Sequence, residues 1–378
     1  MDSTEVLVRG SNELGFRLLR ALAGPDVQRN VVLAPLSVAT ALAILLDGAA
    51  GTTECEIRAV LGLGDAGRDA IDAASVALRN GLGQGDPAIE LTSADSLWVN
   101  PAFRLSPTFV QRIRDCFGAE VETFDPADPT ALARVNRWVS DRTRGKIPRI
   151  VESLPTLTAL LVLDAIYFNG RWQRAFDRSK TRDRPFHRPG GDDRSVPMME
   201  QAGRFPYLED RLVQAVGLPY GDGGIALEIF LPRPGVAASA LLQALDATSF
   251  DRWTRGMSPR EGDVVVPRLG LSHTRDLRDA LMSLGLNDAF TPGRADLTRV
   301  SATSGLSIGD VKQRAVIQVD EAGTVAAAVT SIGLVASAMT LPPRRFHFVA
   351  DRPFAFAIRD RQSGVALFLG VVADPSAT

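Results

Sequence analysis

The side chains that most often carry chemistry are sparse in this sequence and badly placed for it. The three histidines, His187, His273 and His347, lie far apart. A metal site wants such residues paired at helical or strand spacing, and these offer no pair. Two cysteines, Cys55 and Cys116, are too few for a disulfide framework or a structural zinc site and read as reduced, packed thiols. A nucleophile–histidine–acid triad can draw on distant residues, but no Ser or Cys sits in a recognisable elbow. Gly62-Leu63-Gly64-Asp65-Ala66-Gly67 has the spacing of a dinucleotide-binding fingerprint. That motif must follow a strand, whereas this one follows a helical pattern, so it reads as a helix C-cap and turn. The expectation is a protein that is not an enzyme and uses neither a metal nor a cofactor.

What does stand out is a stretch without charge. From Ala322 to Pro343 no charged residue occurs for 22 positions, near the end of a chain that is 23% charged. It is long enough to cross a membrane, but its Gly, Thr and Ser make it weakly hydrophobic and two prolines end it. As a buried helix it is too rich in Val, Thr, Ile and Gly; as one internal strand it is far too long. A linker is compatible with it. So is an exposed loop able to become a strand, because Gly323, Thr324, Val325, Ala326, Ala327, Ala328, Val329 and Thr330 are all small or β-branched. Such side chains fit between existing strands without overfilling the core beneath.

Around that stretch, helical periodicity dominates the first half of the chain. Leu14, Leu18, Leu19 and Leu22 share one face of a helix over Glu13–Ala23. Further helices are predicted over Pro35–Leu46, Glu54–Leu61, Asp69–Asn80, Thr108–Phe117 and Ala131–Thr143. Strands are predicted over Ala88–Val99 and over Ala159–Phe168, the latter interrupted by Asp164. Beyond Leu212 strands dominate, with one helix over Arg275–Leu284. Helices first and strands later indicate an α+β fold rather than an alternating α/β sheet. With no repeat and no Pro/Gly-rich linker, residues 1–378 read as a single domain.

The 378 residues are 45% hydrophobic with a net charge of -2, which excludes a disordered or collagenous chain and gives no electrostatic reason to expect nucleic acid or an anionic membrane as partner. Of 42 basic residues only Lys146, Lys180 and Lys312 are lysine, a bias of coding rather than mechanism. The acidic start, Met1-Asp2-Ser3-Thr4-Glu5, does not read as a secretory signal. The default expectation is therefore a cytoplasmic protein, extracellular if a leader was removed or another export route is used.

From Asn12 to Pro375 the sequence resembles the serpins, the family of suicide protease inhibitors, and specifically a bacterial inhibitory member. Val319-Asp320-Glu321-Ala322-Gly323-Thr324-Val325-Ala326-Ala327-Ala328 looks like the family's reactive-loop hinge. Asn30-Val31-Val32-Leu33-Ala34-Pro35-Leu36-Ser37, Asn136-Arg137-Trp138-Val139, Ala165-Ile166-Tyr167-Phe168-Asn169-Gly170-Arg171-Trp172, Leu218-Pro219-Tyr220 and Leu367-Phe368-Leu369-Gly370 follow in family order. The resemblance implies three β-sheets with eight or nine helices and an exposed reactive-centre loop, here residues 321–343. It implies that a target serine protease, or a cysteine protease, cleaves the loop, is trapped covalently, and is carried along as the loop enters the central sheet. The hinge would be Glu321, Ala322, Gly323, Thr324, Val325, Ala326, Ala327 and Ala328.

Family spacing places the reactive bond at Ser337-Ala338, with Met339-Thr340 as the alternative. No Arg or Lys precedes either bond, which implies elastase-, subtilisin- or chymotrypsin-like targets. Arg268 matches the family's basic partner of Glu321, and Trp172 should sit beside them where the sheet opens. Asp164 and Gln313 stand where relatives often have Asn and His, and the Gln313 amide could donate to Asp164. The helix expected to bind polyanions in some relatives offers only Arg68 and Arg79, so no heparin-like cofactor is expected. A non-inhibitory serpin acting as chaperone, carrier or storage protein is the alternative. Either way the resemblance implies a monomer with a liability to loop–sheet polymerisation.

Overall fold

A computed structural model describes residues 2–82, 86–323 and 345–377. The helical periodicity of the first part becomes α1 (Ser3–Ala23), α2 (Pro35–Gly48), α3 (Gly51–Leu61), α4 (Arg68–Gly81), α5 (Pro107–Phe117) and α6 (Ala131–Arg142). α1 begins well before Glu13 because Leu7 and Val8 continue its buried face. α2 starts on Pro35, whose fixed φ suits a first turn, and is buried almost all round. α3 stops at Gly62, which adopts a left-handed φ of 64° and donates its N–H to Ala59 and Arg58, so the glycine-rich run is a cap and turn. Cys55 is exposed, because Ile57, Val60 and Leu61 take the buried face of α3; the expectation of two packed thiols fails there.

The strands are β1 (Val31–Leu33), β2 (Ile89–Val99), β3 (Glu120–Thr123), β4 (Leu160–Gly170), β5 (Arg182–His187), β6 (Asp193–Glu209), β7 (Val213–Pro219), β8 (Ile225–Pro232), β9 (Ser258–Pro267), β10 (Leu269–Asp276), β11 (Ile308–Val319), β12 (Phe346–Val349), β13 (Phe354–Asp360) and β14 (Ala366–Val372). Two helices that periodicity did not reveal, α7 (Ala238–Ala244) and α8 (Ala247–Gly256), lie between β8 and β9. The helix expected over Arg275–Leu284 is corrected. Arg275 and Asp276 end β10, and only Arg278–Ser283 form the helix, α9. The described residues thus hold nine α-helices in a mixed α+β architecture.

Nine strands run in the order β1-β14-β13-β8-β7-β6-β9-β12, with β5 also on β6. The 17-residue β6 pairs with β5 and β9 and then, through Tyr207–Glu209, with β7. Two of the three expected sheets are therefore continuous through this one strand. The remaining sheet runs β10-β11-β4-β2-β3. Successive residues of a strand point to opposite faces, and β4 buries both faces. Leu160, Val162, Ile166 and Phe168 join the main core, while Leu161, Leu163, Ala165 and Tyr167 pack with Val135 and Val139 of α6. Double-sided cover is why its sequence is a nearly continuous apolar run.

Candidate functional site

At the centre of this sheet β4 and β11 lie side by side and parallel, from Ile308 opposite Leu160 to Ile317 opposite Phe168. Both strands finish at the same end of the sheet, and the chain leaving β11 is tied down there. Asp320 and Gly323 exchange backbone hydrogen bonds of 3.0 and 3.2 Å, and the Ala322 N–H donates to Asp320 Oδ1 at 2.9 Å. Gly323 has a φ of +111°, and a Cβ there would sit 2.2 Å from the Gly170 carbonyl oxygen and 2.6 Å from the Trp172 nitrogen. Only glycine lets the turn close against the end of β4.

Trp172 holds this turn from the β4 side. Its Nε1 donates to the Asp320 carbonyl at 2.7 Å and its backbone N–H to the Ala322 carbonyl at 3.2 Å. The indole is fixed by stacking on Tyr220 with ring centroids 4.2 Å apart. Phe176 donates its N–H to the Glu321 carbonyl at 2.8 Å. The Glu321 side chain is 2% exposed, and its Oε1 accepts from Arg268 Nε at 2.8 Å and from Thr181 Oγ1 at 2.6 Å. Burial raises the pKa of this carboxyl, but the bonds from Arg268 and Thr181 outweigh it and hold the group below the usual glutamate range.

Further down the seam a polar row crosses the apolar inner face. Asp95 on β2 is opposite Asp164 on β4, which is opposite Gln313 on β11. Gln313 Nε2 donates to Asp164 Oδ2 at 2.5 Å and to the Ala34 carbonyl at 3.0 Å, and its Oε1 accepts from the Ala34 N–H at 2.9 Å. The row thereby ties both seam strands to the residue before α2. Asp164 is 2% exposed. Burial first, and then the Asp95 charge, push its pKa well above the usual range; burial pushes Asp95 up to about 7. Ser37 lies close enough to favour the charged form of Asp164, yet no well-formed hydrogen bond reaches Asp164 Oδ1.

The structure thus brings Arg268, Glu321, Ala322, Gly323 and Trp172 together at one end of the seam, and Asp164 with Gln313 midway along it. Thr324, Val325, Ala326, Ala327 and Ala328, and the proposed reactive bonds Ser337-Ala338 and Met339-Thr340, lie outside the described residues. Sequence reasoning missed Thr181, which carries no local signal, and Tyr220 as the stacking partner of Trp172. It also missed Asp95, which could have been found, since it alternates with Leu97 and Val99 on the inward face of β2.

The model of the serpin family, described as serine protease inhibitors, matches residues 9–375. The chain is a serpin. A serpin-like protein of Thermococcus kodakarensis is 34% identical over 98% of this chain and 86% of its own length. The leukocyte elastase inhibitor of Sus scrofa is 32% identical over 98% of this chain and all of its own. Among solved structures, the thermophilic serpin tengpin in its native state superposes with a TM-score of 0.89 at 24% identity, covering 97% of this chain and 94% of its own. Human thyroxine-binding globulin, complexed with its ligand, superposes with a TM-score of 0.89 at 25% identity, covering 99% of each chain. The family is described as one of serine protease inhibitors, and a protease is the partner that its relatives named as inhibitors support in general.

Proposed function

We propose that this serpin is a suicide-substrate inhibitor of elastase-, subtilisin- or chymotrypsin-like serine proteases. The observation that carries the reading is the parallel β4–β11 seam with the chain after β11 anchored at its end. A strand that turns back from β11 runs antiparallel to it, and hence antiparallel to β4 as well, so one strand can pair with both seam edges at once. Thirteen residues lie between Gly323 and Ser337, enough to run the length of β4 and β11, which have 11 and 12 residues. As a strand, Thr324, Ala326, Ala328 and Thr330 would share one face, and all are small enough to enter above a filled core.

In this reading the protease serine attacks the carbonyl carbon of Ser337. An ester forms, and the peptide bond breaks with Ala338 leaving as the new amine; at the alternative bond Met339 and Thr340 take these parts. The freed strand then inserts, parting β4 from β11. Each ladder hydrogen bond gained contributes about 0.5–1.5 kcal/mol net, which is ample when summed along the seam to exceed the clamp at Glu321. Loop insertion of this kind in serpins is a known example of strand addition, gated here by Arg268, Thr181 and Trp172 around Glu321. The protein would act as a monomer without polyanion: Arg68 already pairs with Glu54, and Arg79 donates to the Asp115 carbonyl.

Incubation with elastase or subtilisin tests the reading. The expected product is a complex near the summed masses that survives denaturing electrophoresis. Cleavage between residues 330 and 343 without such a complex would instead favour a non-inhibitory carrier, a role consistent with the equally close superposition of thyroxine-binding globulin.

A further inference from the structure

We propose that a cavity between β2 and the helices packed on it binds an organic amine, an apolar body bearing one ammonium group. The cavity holds about 480 Å3, within the range of small-molecule sites. Its walls are apolar, formed by Leu36 of α2, Leu78 of α4, Leu91 of β2, Phe117 of α5 and Ile166 of β4. Ser37 of α2 and Ser93 and Asp95 of β2 add two kinds of polar group to the lining, hydroxyls and a carboxyl. At the mouth the charges are already engaged. Arg142 pairs with Glu120, whose other oxygen accepts from Trp138 Nε1 at 2.7 Å, and Arg79 packs over Gly118.

Asp95 is the group without a counterpart. Its Oδ2 accepts one hydroxyl, from Ser93 at 3.2 Å, and its Oδ1 is buried without a hydrogen-bond partner. Directly across the β2–β4 ladder, Asp164 Oδ1 is likewise buried and unpartnered. Among the described residues neither carboxyl takes part in an ion pair. Two facing buried carboxyls ionise together only at high cost unless a cation joins them, so without one at least one of the two keeps its proton. An ammonium can replace that proton. It supplies the missing charge together with up to three donors, to Asp95 Oδ1 and to the Ser93 and Ser37 hydroxyls. The five apolar walls then take the ligand's body, and a neutral or anionic analogue gains only that second contribution. The geometry therefore selects for cation first and shape second.

None of this depends on inhibitory activity, so the two readings fail separately. Isothermal titration of the full chain at pH 7 with 4-phenylbutylamine and with 4-phenylbutan-1-ol as matched probes decides it. The amine is expected to bind at least tenfold more tightly than the alcohol. Asp95→Asn should bring the amine down to the level of the alcohol and leave alcohol binding unchanged. Leu91→Trp, which fills the cavity from its half-buried edge, should abolish both. Equal binding of the two probes by the wild-type protein, or no binding of either, overturns the proposal without recourse to any variant. Full amine affinity in a folded Asp95→Asn or Leu91→Trp protein overturns it as well.

Discussion

Two carboxyls with opposite shifts control the seam. Glu321 is charged and held so by Arg268 and Thr181, whereas Asp164 is pushed toward its neutral form by burial and by Asp95. Arg268 is 45% exposed while Glu321 is buried, so removing the guanidinium should cost about 1–2 kcal/mol, between the values for exposed and buried pairs. Glu321 has a folded pKa below its unfolded one, so the contribution is present above the ordinary glutamate value and disappears as pH falls through the lowered one. Arg268→Ala should therefore lower the thermal midpoint at pH 7, by an amount that shrinks as the pH is taken down below the ordinary glutamate value.

The sign is reversed at Asp164. The folded state keeps a proton that the unfolded state releases above about pH 4, so stability falls as pH rises from there through the raised folded value. Asp164→Asn should be more stable than wild type at pH 8 by about 1–3 kcal/mol and nearly equal to it at pH 4, as read by denaturant unfolding. A gap that does not change with pH would refute the assignment of a buried, proton-holding Asp164. The Asp164–Gln313 contact was legible in the sequence because the two substitutions compensate chemically. The second carboxyl was not, because cross-strand register is set by the whole sheet rather than by local spacing.

Among the elements, those with a single strong periodicity were legible and those with mixed faces were not. α2 and β4 announce themselves by continuous burial. β6 hides because its first three residues are exposed and its burial alternates weakly along 17 residues. β10 alternates buried and exposed positions and then runs into α9 after one residue, so its end was taken for helix. The hinge assignment rests on the small and β-branched composition together with the serpin resemblance, and its proposed role depends on the seam beside it. Thr324→Arg places a long charged side chain where a strand would have to enter the sheet. It should convert the inhibitor into a plain substrate, with cleavage of the loop retained and the covalent complex lost by at least tenfold on a gel. Unchanged complex formation would show that residues after Gly323 do not enter between β4 and β11.

At the scale of the whole molecule, the proposed function requires that the central sheet, with β4 and β11 side by side, give way to a better-paired arrangement. Net charge and cysteine content narrow the class of chain without naming a function. The positive reading came from one uncharged stretch and from the parallel seam that would accept it. The same seam would accept a strand from a neighbouring molecule, which makes polymerisation on mild heating the expected failure of this fold. Thermal unfolding of the protein before and after a single cut in the loop by a non-target protease tests insertion most directly. The cut protein is expected to unfold far above the intact one, by on the order of tens of degrees for a fully added strand. A cut protein that unfolds at the same temperature as the intact chain, or below it, would contradict insertion.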